Sequence, residues 1–161
     1  MSMIIDGTNG LTFNNATTQA SAGQVLQVVS VNYSTETTTT STSFVDTGIT
    51  ATITPKFSTS KILVIVSVNG IVKTSGNTST AVGLSLVRAS TTIISNWSVN
   101  LGLTQSSSYL QTASSINYSD SPATTSATAY KVQFASTVSG QSIYVQQGSA
   151  MSTITLMEIA A

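Results

Sequence analysis

The chain has 161 residues, of which only five are basic and five acidic, and its formal net charge is zero. It contains no histidine and no cysteine, whereas 28 residues are serine and 28 are threonine. Because acid–base and nucleophilic catalysis rely on His, Cys, Lys or paired carboxylates, this composition argues against an enzyme and predicts no cofactor and no bound metal. The five basic residues do not form a run that could neutralise phosphates, which argues against a nucleic-acid partner. The longest apolar run, Ile62 to Val66, has five residues, which excludes membrane insertion because a span needs about 20.

The first 23 residues differ in pattern from the remainder. Turn signals, Asp-Gly and Asn-Gly, separate short apolar pairs, and a small polar stretch without periodicity follows. We therefore predict an extended N-terminal arm over residues 1–23 and a single β-sandwich over residues 24–161. Ile4, Ile5, Leu11 and Phe13 are apolar residues on a segment too short to fold by itself, so we expect them to become ordered on a partner protein.

Several segments after Gly23 alternate between apolar and polar residues, as half-buried strands do. Alternation places Ile49, Ala51 and Ile53 on one face, and it continues through Val82–Leu86 and Tyr130–Phe134. Residues 138–141 then predict a hairpin turn into the strand that contains Ile143 and Val145. Helical spacing of apolar residues is missing, so we expect no helix longer than two turns.

Two strands are apolar on both faces. In residues 61–69, one face carries Ile62, Val64, Val66 and Val68, and the other face carries Leu63 and Ile65. In residues 153–159, one face carries Ile154 and Leu156, and the other carries Met157 and Ile159. An antiparallel sandwich exposes one face of each sheet to water, so something must cover these four residues. A loop of the same chain is one candidate. A second copy of the chain is the interpretation we favour, because a surface with so little charge promotes association.

The stretch from Asn96 to Tyr118 holds the only tryptophan and many amides and hydroxyls. Rigid rings flanked by adaptable polar groups are typical of surfaces that bind carbohydrate or protein. Trp97, Gln105, Tyr109 and Tyr118 are therefore candidate receptor-binding residues. The structural alternative for Trp97 is that its ring closes the end of the sandwich.

The acidic residues offer little chemistry. Asp6 and Asp120 each lack a neighbouring carboxylate, so a turn-forming role is favoured over calcium binding, which gathers six to eight oxygens. Without histidine, no Ser-His-Asp triad can form. A glycosidase would need two carboxylates about 5–10 Å apart, and Asp46 and Asp120 would have to meet in the fold. The sequence thus predicts no catalytic residue.

The segments KILVIVSVNG, AVGLSLVRAS, DSPATTSATAYKVQF and STITLMEI resemble the C-terminal β-sandwich modules of bacteriophage tail-fibre and other virion appendage proteins, especially those of cyanophages. The opening GLTFNNATTQ is similar to a short segment that often precedes such modules. This resemblance implies an all-β, antiparallel jelly-roll β-sandwich of tumour-necrosis-factor-like shape, assembled as a homotrimer.

The resemblance also implies a function and a location. We expect a virion structural protein, made in the host cytoplasm, that forms a short trimeric fibre or fibre tip. Its arm would attach to another virion structural protein of the tail or baseplate, and its sandwich would adsorb to the host surface, where a glycan is the expected receptor. The alternatives are a capsid decoration or cement protein and an appendage enzyme that degrades polysaccharide.

Overall fold

The computed structural model describes the backbone of residues 4–6, 10–12 and 18–19, and residues 23–74, 79–103 and 109–161 in full. The three backbone segments are short strands, β1 (Ile4–Asp6), β2 (Gly10–Thr12) and β3 (Thr18–Gln19), which pair in that order as a small antiparallel sheet. The fully described residues form ten strands: β4 (Val25–Tyr33), β5 (Thr37–Thr39), β6 (Val45–Ile53), β7 (Lys61–Lys73), β8 (Val82–Arg88), β9 (Thr91–Leu101), β10 (Leu110–Asp120), β11 (Thr128–Ser136), β12 (Ile143–Val145) and β13 (Ser152–Ile159).

These ten strands form two antiparallel sheets. In the first sheet β13 lies between β4 and β7, and β10 pairs with the other edge of β7. The short strands β12 and β5 extend the same sheet beside the end of β7. The second sheet has the order β6-β11-β8-β9. The two four-stranded orders, β4-β13-β7-β10 and β6-β11-β8-β9, are those of a jelly roll, in which two four-stranded antiparallel sheets pack face to face.

The core lies between the two sheets and follows the predicted alternation. Ile49, Ala51 and Ile53 of β6 are buried, and the apolar residues of β8 and β11 lie beside them on the same face of the second sheet. From the first sheet, β7 and β13 contribute Ile62, Val64, Val66, Val68, Ile154 and Leu156. Burying a side chain of this size stabilises the fold by about 1.5–3 kcal/mol. All of these residues except Leu156 are β-branched, so they also favour strands.

One predicted feature, the hairpin at residues 138–141, is wrong. β11 pairs with β6 and β8 of the second sheet, whereas β12 pairs with β5 and β7 of the first. The turn therefore carries the chain from one sheet to the other, and the amide of Gly140 donates to the carbonyl of Thr40. The local turn signal was correct, but it does not determine which strand becomes the neighbour. In the fully described ranges, the helical structure is a single 3-10 turn, Gln147–Ser149.

The two ends of the sandwich differ. At the end we call the arm end, the amide of Gly23 donates to the carbonyl of Ala160 at 2.7 Å, and the amide of Ala160 donates to Gln24 at 2.8 Å. The chain thus enters the sandwich directly beside its last strand. At the opposite end, which we call the distal end, β7 and β9 finish and β10 begins, and residues 79–81, 102–103 and 146–151 lie there.

Candidate functional site

An apolar surface covers part of the first sheet on the side away from the core. We call it the apolar outer face and define it by Val28, Leu63, Ile65, Met157 and Ile159. Met157 lies opposite Val28 on one neighbouring strand and opposite Leu63 on the other, so these three side chains form one row across the sheet. Val28 is 54% exposed, and the other four are half-buried. The four predicted trimer residues therefore lie on one surface, and their role as contacts stays a prediction.

This face changes character along the strands. Nearest the arm end, Ile159 pairs with Lys61, and the next row is Met157 with Leu63. One row further, Thr155 lies between Ile65 and Ser30, and its hydroxyl is 2.8 Å from that of Ser30. The row after that contains only polar side chains, Asn32, Thr153, Ser67 and Ser115. The outer face is thus apolar towards the arm end and hydroxyl-rich towards the distal end.

The predicted receptor-binding residues do not share one surface. Trp97 and Tyr118 are half-buried and pack against the core cluster, and the Trp97 indole N–H donates to the Ser114 hydroxyl at 3.2 Å. The position of Trp97 agrees with the structural alternative, in which its ring packs against the sandwich core. Tyr109 is exposed at the distal end, where its hydroxyl donates to Oε1 of Gln147. Gln105 lies outside the described residues.

The predicted anchor residues lie on the small sheet of the arm. Ile4 and Ile5 are in β1 and Leu11 is in β2, where Ile5 and Leu11 are paired in register. Phe13 lies outside the described residues. Near the point where the arm enters, Leu26, Phe57 and Ala160 line a hollow of about 180 Å³.

A charged cluster joins the two sheets at the arm end. The carboxylate of Asp120, at the end of β10, accepts two 2.8 Å hydrogen bonds from Nη1 of Arg88 and one of 2.6 Å from the Tyr130 hydroxyl. Burial and the hydrogen bond to Asp120 raise the pKa of Tyr130, and the hydrogen bond to Asp120 raises that of Arg88. We expected Asp120 to form a turn, but its main contact is an ion pair with Arg88, which lies 32 positions away in the sequence.

Glu158 is a second buried acid, and its side chain is fully enclosed. Its carboxylate accepts hydrogen bonds from Nε2 of Gln27 at 2.6 Å and from the backbone amides of Lys56 and Phe57 at 2.7 and 3.3 Å. Burial raises the pKa of this carboxyl, but the hydrogen bonds outweigh that effect and hold the pKa below its ordinary value. Glu158 therefore fixes the loop between β6 and β7 onto the last strand.

The carboxylates of the fully described residues each have their own partners. Asp46 contacts Lys131 and Gln133 on the surface of the second sheet, and Glu36 accepts a hydrogen bond from the amide of Gly148. Asp120 and Glu158 have the separate partners given above. Over the described part of the chain, no three acidic side chains gather as a metal site, and no helix is long and apolar enough to cross a membrane.

Comparison with known proteins yields structural similarity alone. No family model matches this sequence, and no curated protein matches it. Similar solved structures include the infectious bursal disease virus Gt strain, with a TM-score of 0.43 and 16% identity over 100% of this chain and 42% of that chain. The structure of the Gx strain of the same virus has a TM-score of 0.40 and 16% identity, over 88% of this chain and 35% of that chain. The VP2 subviral particle of infectious bursal disease virus has a TM-score of 0.40 and 17% identity, over 90% of this chain and 40% of that chain. This chain therefore spans less than half the length of each.

Proposed function

We propose that this chain is a virion structural protein, three copies of which form a short fibre or fibre tip that adsorbs to the host surface. The observation that carries the proposal is the polarity of the molecule. The chain enters the sandwich from the arm at the end where the outer face is apolar, whereas hydroxyl-rich rows lie towards the other end. A particle component needs this division, because one end must assemble and the other must remain hydrated. Jelly rolls are also a common architecture of viral coat and carbohydrate-binding domains.

The partner for the apolar outer face is a further copy of the same chain. Contiguous exposed apolar surface marks interaction sites in soluble proteins. The five side chains of this face are aliphatic or thioether, so identical copies can pack on them without burying a charge, while Lys61 beside Ile159 lies at the arm-end rim of the face. Closed rotational symmetry lets every copy bury the same surface. Three copies that turn this face towards a common axis would place all three arms at one end of the assembly.

The arm supplies the attachment. Ile4, Ile5 and Leu11 belong to a three-stranded sheet that is separate from the sandwich in its strand pairing. A sheet of so few short strands buries too little apolar surface to be stable by itself. We propose that it docks on another structural protein of the virion tail or baseplate.

The first prediction concerns assembly. Replacing Ile65 by lysine places a charge in the middle of the apolar outer face, where a packed interface would leave it buried and unpaired. Light scattering of the wild-type protein should give three chain masses rather than the single mass of 16.6 kDa, and Ile65→Lys should give one. Thr52→Lys is the matched control, because Thr52 is exposed on the opposite sheet. A single-chain mass for the wild type at micromolar concentration contradicts the trimer.

The second prediction concerns location and attachment. An antibody against this chain, viewed on intact particles by electron microscopy, should label the tail, and labelling spread over the capsid would instead support a decoration protein. Protein that lacks residues 1–22 should keep the wild-type mass and strand content, yet be missing from assembled particles. Normal incorporation of the truncated protein would show that attachment lies in the sandwich.

A further inference from the structure

A shallow pocket opens on the side of the second sheet that faces away from the core. Its volume is about 270 Å³. Phe44, just before β6, and Val99 of β9 give it apolar walls, and Thr42, Asn96 and Ser136 add polar groups. Gly83 of β8 lines it as well. Because Val82 and Leu84 point into the core, Gly83 faces outwards, and its pairing with Ala135 near the start of β8 places the pocket towards the distal end.

The sequence creates this pocket through one missing and one redirected side chain. A Cβ atom at Gly83 would lie 2.9 Å from Oδ1 of Asn96, so even alanine would push the Asn96 amide aside, and it would be in ordinary contact with the ring of Phe44 at 3.8 Å. Asn96 has a left-handed φ of 52° inside β9. The pairing of β9 with β8 shifts register on both sides of this residue, which is the signature of bulges that redirect side chains. As a result, the Asn96 amide lies over Gly83.

The polar groups around the pocket retain hydrogen-bonding capacity. Among the described residues, neither the side-chain amide of Asn96 nor the hydroxyl of Thr42 has a hydrogen-bond partner. The Ser136 hydroxyl donates to the carbonyl of Val138 at 2.9 Å and accepts from the amide of Val138 at 3.4 Å, which leaves one of its two acceptor positions. All of the residues that line the pocket are uncharged. The complementary ligand is therefore neutral, carries several hydroxyls, and has one apolar face to lie against Phe44.

We propose that this pocket binds one pyranose ring of a neutral sugar. A pyranose has hydroxyls at its edge for Asn96, Thr42 and Ser136, and its C–H face suits an aromatic ring. The volume lies just below the range of about 300–1,000 Å³ that accommodates larger ligands, which fits a single ring. This inference rests on the proposed adsorption to a host surface and names its ligand class. It places the receptor site on the outward side of the second sheet, whereas Trp97 and Tyr118 pack against the core cluster between the sheets.

The test is a titration of the full-length protein with glucose, galactose, mannose and N-acetylglucosamine, followed by the backbone amide NMR signals. At least one sugar should shift the signals of Gly83, Asn96 and Ser136, with a dissociation constant of about 1 mM. Asn96→Gly should weaken binding about tenfold, because it removes the amide, while glycine adopts the left-handed backbone without strain. Asn100→Gly is the matched control, since Asn100 has a φ of 63° in the same strand but does not line the pocket.

Two results would overturn the inference: none of the four sugars shifts these signals, or Asn96→Gly binds as well as Asn100→Gly. Adsorption of labelled protein to host cells separates this inference from the proposed function. If the wild type and both variants adsorb equally, adsorption stands and the pocket is not its site. If the protein binds a sugar in the pocket but does not adsorb to cells, the pocket stands and the adsorption function fails.

Discussion

Replacing Glu158 by glutamine should lower the free energy of unfolding by about 3 kcal/mol, because it weakens a fully buried, hydrogen-bonded carboxylate. Glutamine keeps one acceptor for the amides of Lys56 and Phe57, but its own amide group would then face Nε2 of Gln27, which is also a donor. For a chain of this length, the expected fall in melting temperature is about 6–12 °C. Differential scanning calorimetry at a fixed protein concentration measures it, since association also contributes to stability.

The same residue predicts the acid sensitivity of the protein. The pKa of Glu158 is lower in the folded chain than its ordinary value of 4.5. Its contribution to stability is therefore complete above that value, and it is lost as the pH falls through the lower folded pKa. The stability of the glutamine variant should fall less steeply than that of the wild type below about pH 4.5.

Asp46→Asn is the matched control for Glu158→Gln. The pKa of Asp46 is also lowered, by its hydrogen bonds to Lys131 and Gln133, which outweigh the opposing effect of burial. The Asp46 carboxylate is 55% exposed, however, and ion pairs of this kind contribute only about 0–1 kcal/mol. If Glu158→Gln and Asp46→Asn lowered the free energy of unfolding equally, burial of Glu158 would not strengthen its hydrogen bonds.

The sequence predicted the faces of regular strands correctly, and it failed where the strands are irregular. Alternation in β6, β7, β11 and β13 reports burial on one side, so the core residues and the apolar outer face could be read directly. In β9, by contrast, 11 residues lie alongside the seven of β8, and the left-handed Asn96 and Asn100 interrupt the alternation. Because the alternation is interrupted, the sequence did not show that Trp97 points inwards, and it did not show the pocket beneath Asn96.

Contacts between distant parts of the chain form the second class of missed features. No local sequence pattern indicates the contact of Arg88 with Asp120 or that of Gln27 with Glu158. Whether such residues meet depends on which strands become neighbours in the fold. The predicted hairpin after β11 was wrong for the same reason. Composition correctly pointed to an all-β chain because threonine, valine and isoleucine favour strands whichever strands they pair with.

The cluster of Arg88, Asp120 and Tyr130 gives the final prediction. Asp120→Asn removes the charge that the guanidinium of Arg88 and the buried hydroxyl of Tyr130 both contact, and we expect a loss of about 3 kcal/mol. Arg88 keeps some contact with water, at 28% side-chain exposure, which places the loss at the lower end for a broken buried pair. Tyr130→Phe removes one hydrogen bond and leaves the ion pair, so its expected cost is about 1–2 kcal/mol.

The position of this cluster makes the prediction specific to one strand. Asp120 ends β10, an edge strand whose only pairing among the described residues is with β7, while Arg88 and Tyr130 belong to the opposite sheet. Loss of the carboxylate should therefore release β10 before the remainder of the sheet, and hydrogen exchange should accelerate in residues 110–120 more than in β13. A double-mutant cycle with Tyr130→Phe should give a coupling of about 0.5–3 kcal/mol. Uniform acceleration across both strands, or a coupling near zero, would mean that the contact between the sheets does not hold β10 in place.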